Sequence, residues 1–236
     1  MDWLTGVKFA HRGLHDLSKG IPENSRVAFA AAADVGYGVE LDVRPSAEDQ
    51  PVVFHDAMLD ALTDLSGAVA DRPVEELTRA RLLGTQETIP TLDEVLQLIG
   101  GRVPVLVEIK NPGRAVGAFE NTVLSAIRNY SGSVGLISFN ARSLLWFLEN
   151  AADLPRGRST IGLWSTSGSA PLWRRVLIRA GNLFVPSDPD FLAVDLPALN
   201  TRRRERPVIA WTVRSDQDRS RAEKMADGFM FENMKP

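Results

Sequence analysis

The chain has 236 residues, of which 44% are hydrophobic, and its formal net charge is −3 at pH 7. This length and this apolar content allow a large buried core, in one barrel or in two small domains. Basic and acidic residues are interspersed, so we expect no broad nucleic-acid-binding face. The chain has no cysteine, which excludes disulfides, thiol catalysis and zinc–thiolate sites.

We expect no signal peptide at the N-terminus. Residues 1–6 lack the basic start and apolar stretch of a signal peptide. No stretch approaches the roughly 18 uninterrupted apolar residues of a membrane-spanning helix. We therefore expect a cytoplasmic protein without stable membrane insertion, whose oligomeric state the sequence leaves open.

Apolar runs alternate with helical patterns along almost the whole chain, which is typical of parallel strands joined by crossover helices. Some runs are apolar on both faces, as at residues 105–107, which suits strands covered by helices outside and side chains inside. The predicted strands are residues 7–11, 38–43, 103–110, 134–139, 160–164, 191–195, 208–213 and 228–232.

The predicted helices between these strands have recognisable ends. Asn24 or Ser25 caps a helix over residues 27–35. Thr91 and Glu94 form a capping box that opens the helix preceding Gly100. Further helices are predicted over residues 114–130, 141–152, 171–180 and 216–226. Eight strands with intervening helices predict an α/β fold, a single (β/α)₈ TIM barrel in one domain over residues 1–236.

The alternation breaks after the second strand. Only residues 44–50 separate it from the apolar residues 52–54, and a parallel crossover needs about a dozen or more. We therefore predict that residues 52–54 form a hairpin with the second strand and fold back over the strand ends. Residues 56–89 are irregular apart from a short helix around 74–83, which predicts a small insertion at the barrel mouth.

The first predicted strand ends on a histidine and an arginine. In a (β/α)₈ barrel the C-terminal strand ends build the active site, so His11 and Arg12 would lie there. A lone histidine at a strand end is more often structural. The following Arg12 and Gly13 favour a functional role, because a guanidinium offers a planar fork for phosphate and glycine allows a tight turn.

Glu40 and Asp42 lie two residues apart on one strand, so their side chains share a face. Inside the barrel they would need a cation between them; outside, they could pair with basic residues of the helices. Glu108 favours the interior, because Glu108 and Lys110 repeat the spacing on the next barrel strand. Three carboxylates from adjacent strands predict a hard-oxygen site for a divalent ion, Mg²⁺ or Ca²⁺.

Five short motifs carry a resemblance to a known family: Phe-Ala-His-Arg-Gly at residues 9–13, Pro-Glu-Asn-Ser at 22–25, Glu-Leu-Asp at 40–42, His-Asp at 55–56 and Glu-Ile-Lys at 108–110. The order and the residues of these motifs resemble those of the glycerophosphodiester phosphodiesterase family, and the resemblance extends from His11 to the C-terminus. The resemblance implies metal-dependent hydrolysis of small glycerophosphodiesters to sn-glycerol 3-phosphate and an alcohol, through a cyclic phosphate. It implies His11 and His55 as acid/base residues, Arg12 and Lys110 as phosphate-binding cations, and Glu40, Asp42 and Glu108 as metal ligands.

Other residues carry weaker signals. Phe139, Trp164 and Trp211 lie at or near strand ends, where they would line the pocket or pack in the barrel core. His15 is expected behind the site or on the surface. The chain departs from the family's Thr-Asp-x-Pro ending around residues 231–236, and from its usual turn at 46–50. We expect neither departure to touch a catalytic group.

Two alternative functions stay open from sequence. A lysophospholipase D or phospholipase D-like activity on longer lipids could use the same site, although residues 56–89 are fairly polar for an apolar mouth. A phosphodiester-binding module without catalysis is disfavoured, because every predicted acid/base and ligand position is filled. The preferred head group, the identity of the metal and the division of labour between the two histidines cannot be read from the sequence.

Overall fold

The computed structural model describes residues 2–111, 115–162, 185–199 and 205–236. Nine strands are found in this part of the chain: β1 (Lys8–His11), β2 (Gly38–Pro45), β3 (Pro51–Val53), β4 (Val105–Ile109), β5 (Val134–Ser138), β6 (Arg156–Thr160), β7 (Phe191–Asp195), β8 (Val208–Val213) and β9 (Gly228–Phe231). The α-helices are α1 (Arg26–Asp34), α2 (Val74–Leu77), α3 (Leu92–Ile99), α4 (Ala118–Arg128), α5 (Ala141–Asn150) and α6 (Asp216–Met225).

Eight of the strands form a closed parallel barrel. The order around it is β1, β2, β4, β5, β6, β7, β8 and β9, and parallel pairing of β9 with β1 closes the ring. The short strand β3 pairs with β2 in the antiparallel direction. The predicted (β/α)₈ barrel and the hairpin after the second strand are both confirmed.

Apolar side chains pack on both faces of the strands, inside the barrel and beneath the helices. Alternate strand residues pack inward on one another, and the rest pack outward against the helices, as the period of two along a strand requires. The inner cluster comprises Leu4, Phe9, Leu106, Ile137, Phe191, Ala193, Ile209 and Met230. This alternation decides which polar side chains face the barrel interior at the mouth.

Three helices begin at side-chain caps, two of which the sequence predicts. Ser25 Oγ accepts the Ala28 N–H at 3.3 Å at the start of α1. Thr91 and Glu94 form the predicted capping box of α3. Ser215 caps α6. These bonds satisfy backbone donors that a helix end leaves without partners.

Some predicted bounds are wrong. Strand β6 lies at Arg156–Thr160, whereas the prediction was 160–164. Its residues are mostly polar, so they lack an apolar strand pattern, and a Cβ at Gly157 would lie 2.3 Å from the Phe191 ring. Helix α4 begins at Ala118 instead of 114, and the helix predicted around 74–83 ends at Leu77. The predicted helix 171–180 and Trp164 lie outside the described residues.

The insertion after β3 has a small core of its own. It buries Val52, Phe54, Leu59, Val69, Leu77, Ala80, Leu82 and Ile89 against one another. This cluster fixes the chain that carries His55 over the mouth. No α-helix among the described residues is long and apolar enough to cross a membrane.

Candidate active site

Three carboxylates come together at the C-terminal ends of neighbouring strands. Glu40 and Asp42 lie in β2, and Asp42 is level with Glu108 of β4. Glu108 follows the inner-cluster residue Leu106 by two positions, so it faces the interior. One ligand oxygen from each of the three carboxylates lies within 4.8 Å of the others, and all three residues are buried.

This cluster fits a divalent cation. It offers only carboxylate oxygens, which hard cations such as Mg²⁺ and Ca²⁺ prefer. Glu40 Oε1 is buried and has no hydrogen-bond partner in the part of the chain that the structure describes. Burial and the neighbouring charges of Asp42 and Glu108 raise the pKa of Glu40 well above its ordinary value. A cation among the three carboxylates would relieve their repulsion and satisfy the unpartnered oxygen.

Asp42 is surrounded by donors. Its Oδ1 atom lies 3.1 Å from Lys110 Nζ, and its Oδ2 atom lies 3.2 Å from Arg12 Nε. The Asn24 amide donates to Oδ2 at 2.9 Å. Burial acts to raise the pKa of Asp42, but the positive charges around it, Lys110 above all, outweigh burial and hold the pKa well below its ordinary value. Lys110 also binds Glu108, at 3.0 Å.

Arg12 lies in a tight turn after β1. Its φ of 57° is followed by a positive φ at Gly13, and the Arg12 backbone N–H donates to Glu40 Oε2 at 3.1 Å. The side chain reaches Glu23 Oε1 at 2.8 Å as well as Asp42. Burial acts to lower the pKa of Arg12, but these carboxylates outweigh it and raise the pKa above its ordinary value. The guanidinium is thus fixed beside the cluster.

His11, the last residue of β1, is buried at the same mouth. Its Nδ1 atom lies 2.6 Å from Glu232 Oε2, and its Nε2 atom lies 3.9 Å from Glu40 Oε2. Burial, assisted by the nearby charge of Arg12, lowers the pKa of His11 to about 4. Burial and the charge of Arg12 therefore favour the neutral imidazole of His11 at pH 7.

His55 follows β3 and is more open to solvent. Its side chain is 32% exposed, against 10% for His11. The Nδ1 atom lies 2.6 Å from Asp56 Oδ1, and the His55 carbonyl accepts a hydrogen bond from Arg44 Nε at 2.7 Å. The hairpin returns the chain to β2 through the bond from the Phe54 N–H to the Asp42 carbonyl, at 2.9 Å. Both predicted histidines thus lie at the barrel mouth.

The predicted pocket aromatics have different surroundings. Phe139 and Trp211 pack edge to face, with ring centroids 5.8 Å apart, and Trp211 also packs on the inner cluster. Trp164 lies outside the described residues. His15 is half-buried, and its Nε2 atom has no hydrogen-bond partner among the described residues. Trp211 therefore packs both on Phe139 and on the inner cluster of the barrel.

Three residues to which the sequence assigns no role in the site make contacts within it. Glu232 binds His11, so the expectation that the departure at residues 231–236 touches no predicted catalytic group was wrong. Asn24 and Glu23 bind Asp42 and Arg12. A signal for Glu232 existed: it follows the inward-facing Met230 by two positions, at the end of a barrel strand.

Comparisons with known proteins agree with this geometry. Residues 11–235 match the glycerophosphoryl diester phosphodiesterase family. A glycerophosphodiester phosphodiesterase of Caldanaerobacter subterraneus subsp. tengcongensis is 34% identical over 180 residues, which are 71% of this chain and 70% of that protein. A probable glycerophosphodiester phosphodiesterase 2 of Mycobacterium tuberculosis is 31% identical over 217 residues, 88% of this chain and 79% of that protein.

The fold is also similar to that of a solved phosphodiesterase. The structure of an Oleispira antarctica phosphodiesterase in complex with the product sn-glycerol-3-phosphate matches with a TM-score of 0.79 and 22% identity, covering 97% of this chain and 93% of that one. At this identity the likeness concerns the fold. With the family match over nearly its whole length, the chain belongs to the glycerophosphoryl diester phosphodiesterase family, a family of phosphodiester hydrolases.

Proposed function

We propose that this protein hydrolyses glycerophosphodiesters to sn-glycerol 3-phosphate and an alcohol, in a reaction that depends on a divalent metal ion. One observation carries the proposal: the buried group Glu40, Asp42 and Glu108 lies at the same barrel mouth as His11 and His55. Carboxylate oxygens for a cation and imidazoles for proton transfer are the groups that phosphodiester cleavage requires. The names of the relatives support the same activity.

Glu40, Asp42 and Glu108 are the residues that would hold the ion. When bound, a divalent ion supplies positive charge next to the phosphoryl oxygens, where negative charge develops in the transition state. Mg²⁺ and Ca²⁺ both suit an all-oxygen donor set. Asn24 keeps Asp42 in place through its amide hydrogen bond.

The two histidines would move protons in opposite directions. One accepts the proton of the glycerol 2-hydroxyl, whose oxygen then bonds to phosphorus. The bond from phosphorus to the other alcohol breaks, and the second histidine gives a proton to that departing oxygen. A cyclic phosphate results, and water opens it to sn-glycerol 3-phosphate. Groups of this kind contribute about 10²- to 10⁴-fold each.

Arg12 and Lys110 would offset phosphate charge. Both cations already contact carboxylates: Arg12 binds Glu23 and Asp42, and Lys110 lies between Asp42 and Glu108. These contacts hold the two side chains at the edge of the cluster before substrate arrives. Fixed charges of this kind stabilise a transition state without a cost of reorganisation.

A substrate panel tests the proposal. Purified protein is stripped of metal with a chelator and assayed with glycerophosphocholine, glycerophosphoethanolamine, glycerophosphoglycerol and lysophospholipids, before and after Mg²⁺ or Ca²⁺ is restored. We expect release of sn-glycerol 3-phosphate from at least one glycerophosphodiester, loss of activity on chelation and recovery with the ion. Full activity after exhaustive chelation would contradict metal dependence.

The same panel tests a second substrate class. A shallow depression lies beside His55, between the loop after β1 and the insertion. Its lining includes the apolar residues Phe54, Leu62, Leu82 and Leu83. The partly exposed Leu62 and Leu83 would suit the acyl chain of a lysophospholipid, which is attached to the glycerol and not to the leaving alcohol. Turnover of lysophospholipids alone would shift the assignment to that class, and binding without turnover of any substrate would indicate a non-catalytic module.

A further inference from the structure

Glu232 joins His11 to a cation at the barrel mouth. Its Oε2 atom lies 2.6 Å from His11 Nδ1, and its Oε1 atom accepts a hydrogen bond from Arg214 Nε at 2.5 Å. The Glu232 side chain is only 12% exposed. Both carboxylate oxygens are therefore engaged, one by the imidazole and one by the guanidinium.

These three residues follow the ends of three neighbouring strands. His11 ends β1, Glu232 follows β9 and Arg214 follows β8, and these strands pair in that order. The Glu232 N–H also donates to the Val213 carbonyl at 3.1 Å. The carboxylate is thus fixed by main-chain and side-chain bonds, so it can hold the imidazole in one orientation.

The short contact fixes which nitrogen of His11 carries hydrogen. An ionised carboxylate only accepts hydrogen bonds, so the hydrogen of this contact lies on Nδ1. Burial acts to raise the pKa of Glu232, but the bonds and charges of His11 and Arg214 outweigh it and lower the pKa to about 2. In a neutral His11 the lone pair is then on Nε2, the atom nearer to Glu40.

We propose that Glu232, anchored by Arg214, is a positioning residue that keeps His11 in the Nδ1–H tautomer with Nε2 directed at the carboxylate cluster. The inference rests on the proposed function, because it gives Glu232 a task in the same reaction. The physical logic is that of other carboxylate–histidine pairs, in which the carboxylate sets the tautomer and ring orientation.

His55 has an analogous but different partner. Asp56 contacts His55 Nδ1 at the same 2.6 Å distance, but Asp56 is the adjacent residue and its side chain is 39% exposed. Glu232 is distant in sequence, more buried and bound by the Arg214 guanidinium as well as by His11. His11 is therefore held more firmly than His55. Its partner Glu232 is far from it in the sequence, whereas the partner of His55 is the next residue.

Kinetics of three variants test the proposal. Glu232→Gln keeps the shape of the side chain but replaces a carboxylate, which can only accept hydrogen bonds, with an amide, which can also donate them. With Mg²⁺ present, we therefore expect kcat for glycerophosphocholine to fall about 10- to 100-fold. KM should stay within about twofold, because substrate binding is not the property removed. Arg214→Gln should lower kcat less. The control is Asp153→Asn, which breaks an exposed carboxylate–arginine pair with Arg128 far from the mouth and should leave kcat unchanged.

Nitrogen NMR gives a readout that a merely structural role would not change. The chain has three histidines, so ¹⁵N-histidine labelling gives few signals, and His11→Gln identifies those of His11. We expect wild-type His11 to show a protonated Nδ1 and an unprotonated Nε2. In Glu232→Gln the two nitrogens should shift toward each other as the tautomers mix, while the His15 and His55 signals stay in place.

The outcomes separate this inference from the proposed function. Wild-type His11 as the Nε2–H tautomer, or unchanged His11 signals and kcat in Glu232→Gln, would overturn the role of Glu232. If Glu232→Gln does not fold, the wild-type spectrum and Arg214→Gln decide in the same way. If the wild type hydrolyses no glycerophosphodiester, the proposed function fails, and the tautomer measurement still decides what Glu232 does to His11.

Discussion

At the scale of single residues, Arg12 ties together most of the candidate site. Its guanidinium reaches Glu23 and Asp42, and its backbone N–H reaches Glu40. The two side-chain contacts depend on a planar group with donors in several directions, and a lysine ammonium cannot reproduce that geometry. The positive charge of Arg12 is therefore only part of its contribution.

The substitution Arg12→Lys tests the role of the guanidinium, because it keeps the positive charge and removes the planar group with its several donors. We expect kcat/KM for glycerophosphocholine to fall about 10- to 100-fold, since Asp42 and Glu23 lose a shared partner. Arg102→Lys is the matched control, because Arg102 pairs with Asp34 at an exposed position outside the mouth. Wild-type kinetics in Arg12→Lys would mean that the guanidinium geometry is unimportant.

At the scale of elements, the loop between β1 and α1 connects helix capping to the site. Ser25 caps α1 and also donates to the Pro22 carbonyl at 2.6 Å. The intervening residues Glu23 and Asn24 contact Arg12 and Asp42. The start of α1 therefore fixes Glu23 and Asn24, which in turn hold Arg12 and Asp42 in place.

Two cap deletions separate stability from function at this level. Ser25→Ala and Thr91→Ala each remove an acceptor 3.3 Å from a backbone N–H at a helix start. Each should lower the free energy of unfolding by about 1 kcal/mol, measured by chemical denaturation. Only Ser25→Ala should also lower kcat/KM, because the Ser25 hydroxyl also binds the Pro22 carbonyl at the turn that carries Glu23 and Asn24. Equal kinetic effects in the two variants would contradict a positioning role for the β1–α1 loop.

The elements also show what a single sequence can predict. Strands β2 and β4 were predictable because apolar residues alternate with Glu40, Asp42 and Glu108, and that alternation fixes their common inward direction. Strand β6 was misplaced because tertiary packing, and not an apolar pattern, makes Arg156–Thr160 extended. The contact of Glu232 with His11 was missed because it joins opposite ends of the chain.

At the scale of the whole molecule, barrel closure concentrates negative charge at one mouth. Glu40 has a raised pKa because burial and its two carboxylate neighbours disfavour its ionised form. A group of this kind stabilises the fold at low pH and costs stability as the pH rises above its unfolded-state pKa. The ionised form of Glu40 therefore costs the fold stability at neutral pH, and a bound cation would offset that cost.

Glu40→Gln tests this cost directly. In chelated protein at pH 7, we expect the variant to be more stable than wild type by about 1 kcal/mol. Added Mg²⁺ or Ca²⁺ at about 100 times its Kd should stabilise wild type by roughly 2.7 kcal/mol, and a variant that does not bind should show no shift. Glu75→Gln, at an exposed position, is the control and should behave as wild type. An equal ion-induced rise in Tm for Glu40→Gln would exclude Glu40 as a ligand.

A double-mutant cycle measures whether His11 and His55 act together in one transition state. His11→Ala, His55→Ala and the double variant are assayed for kcat/KM on glycerophosphocholine, after circular dichroism and ion titration show that each folds and binds metal. Each single loss should be about 10²- to 10⁴-fold. The double variant should be little worse than the poorer single one, because groups that act in one transition state are non-additive. Near-wild-type activity in either single variant, or two large losses that multiply fully, would contradict the account.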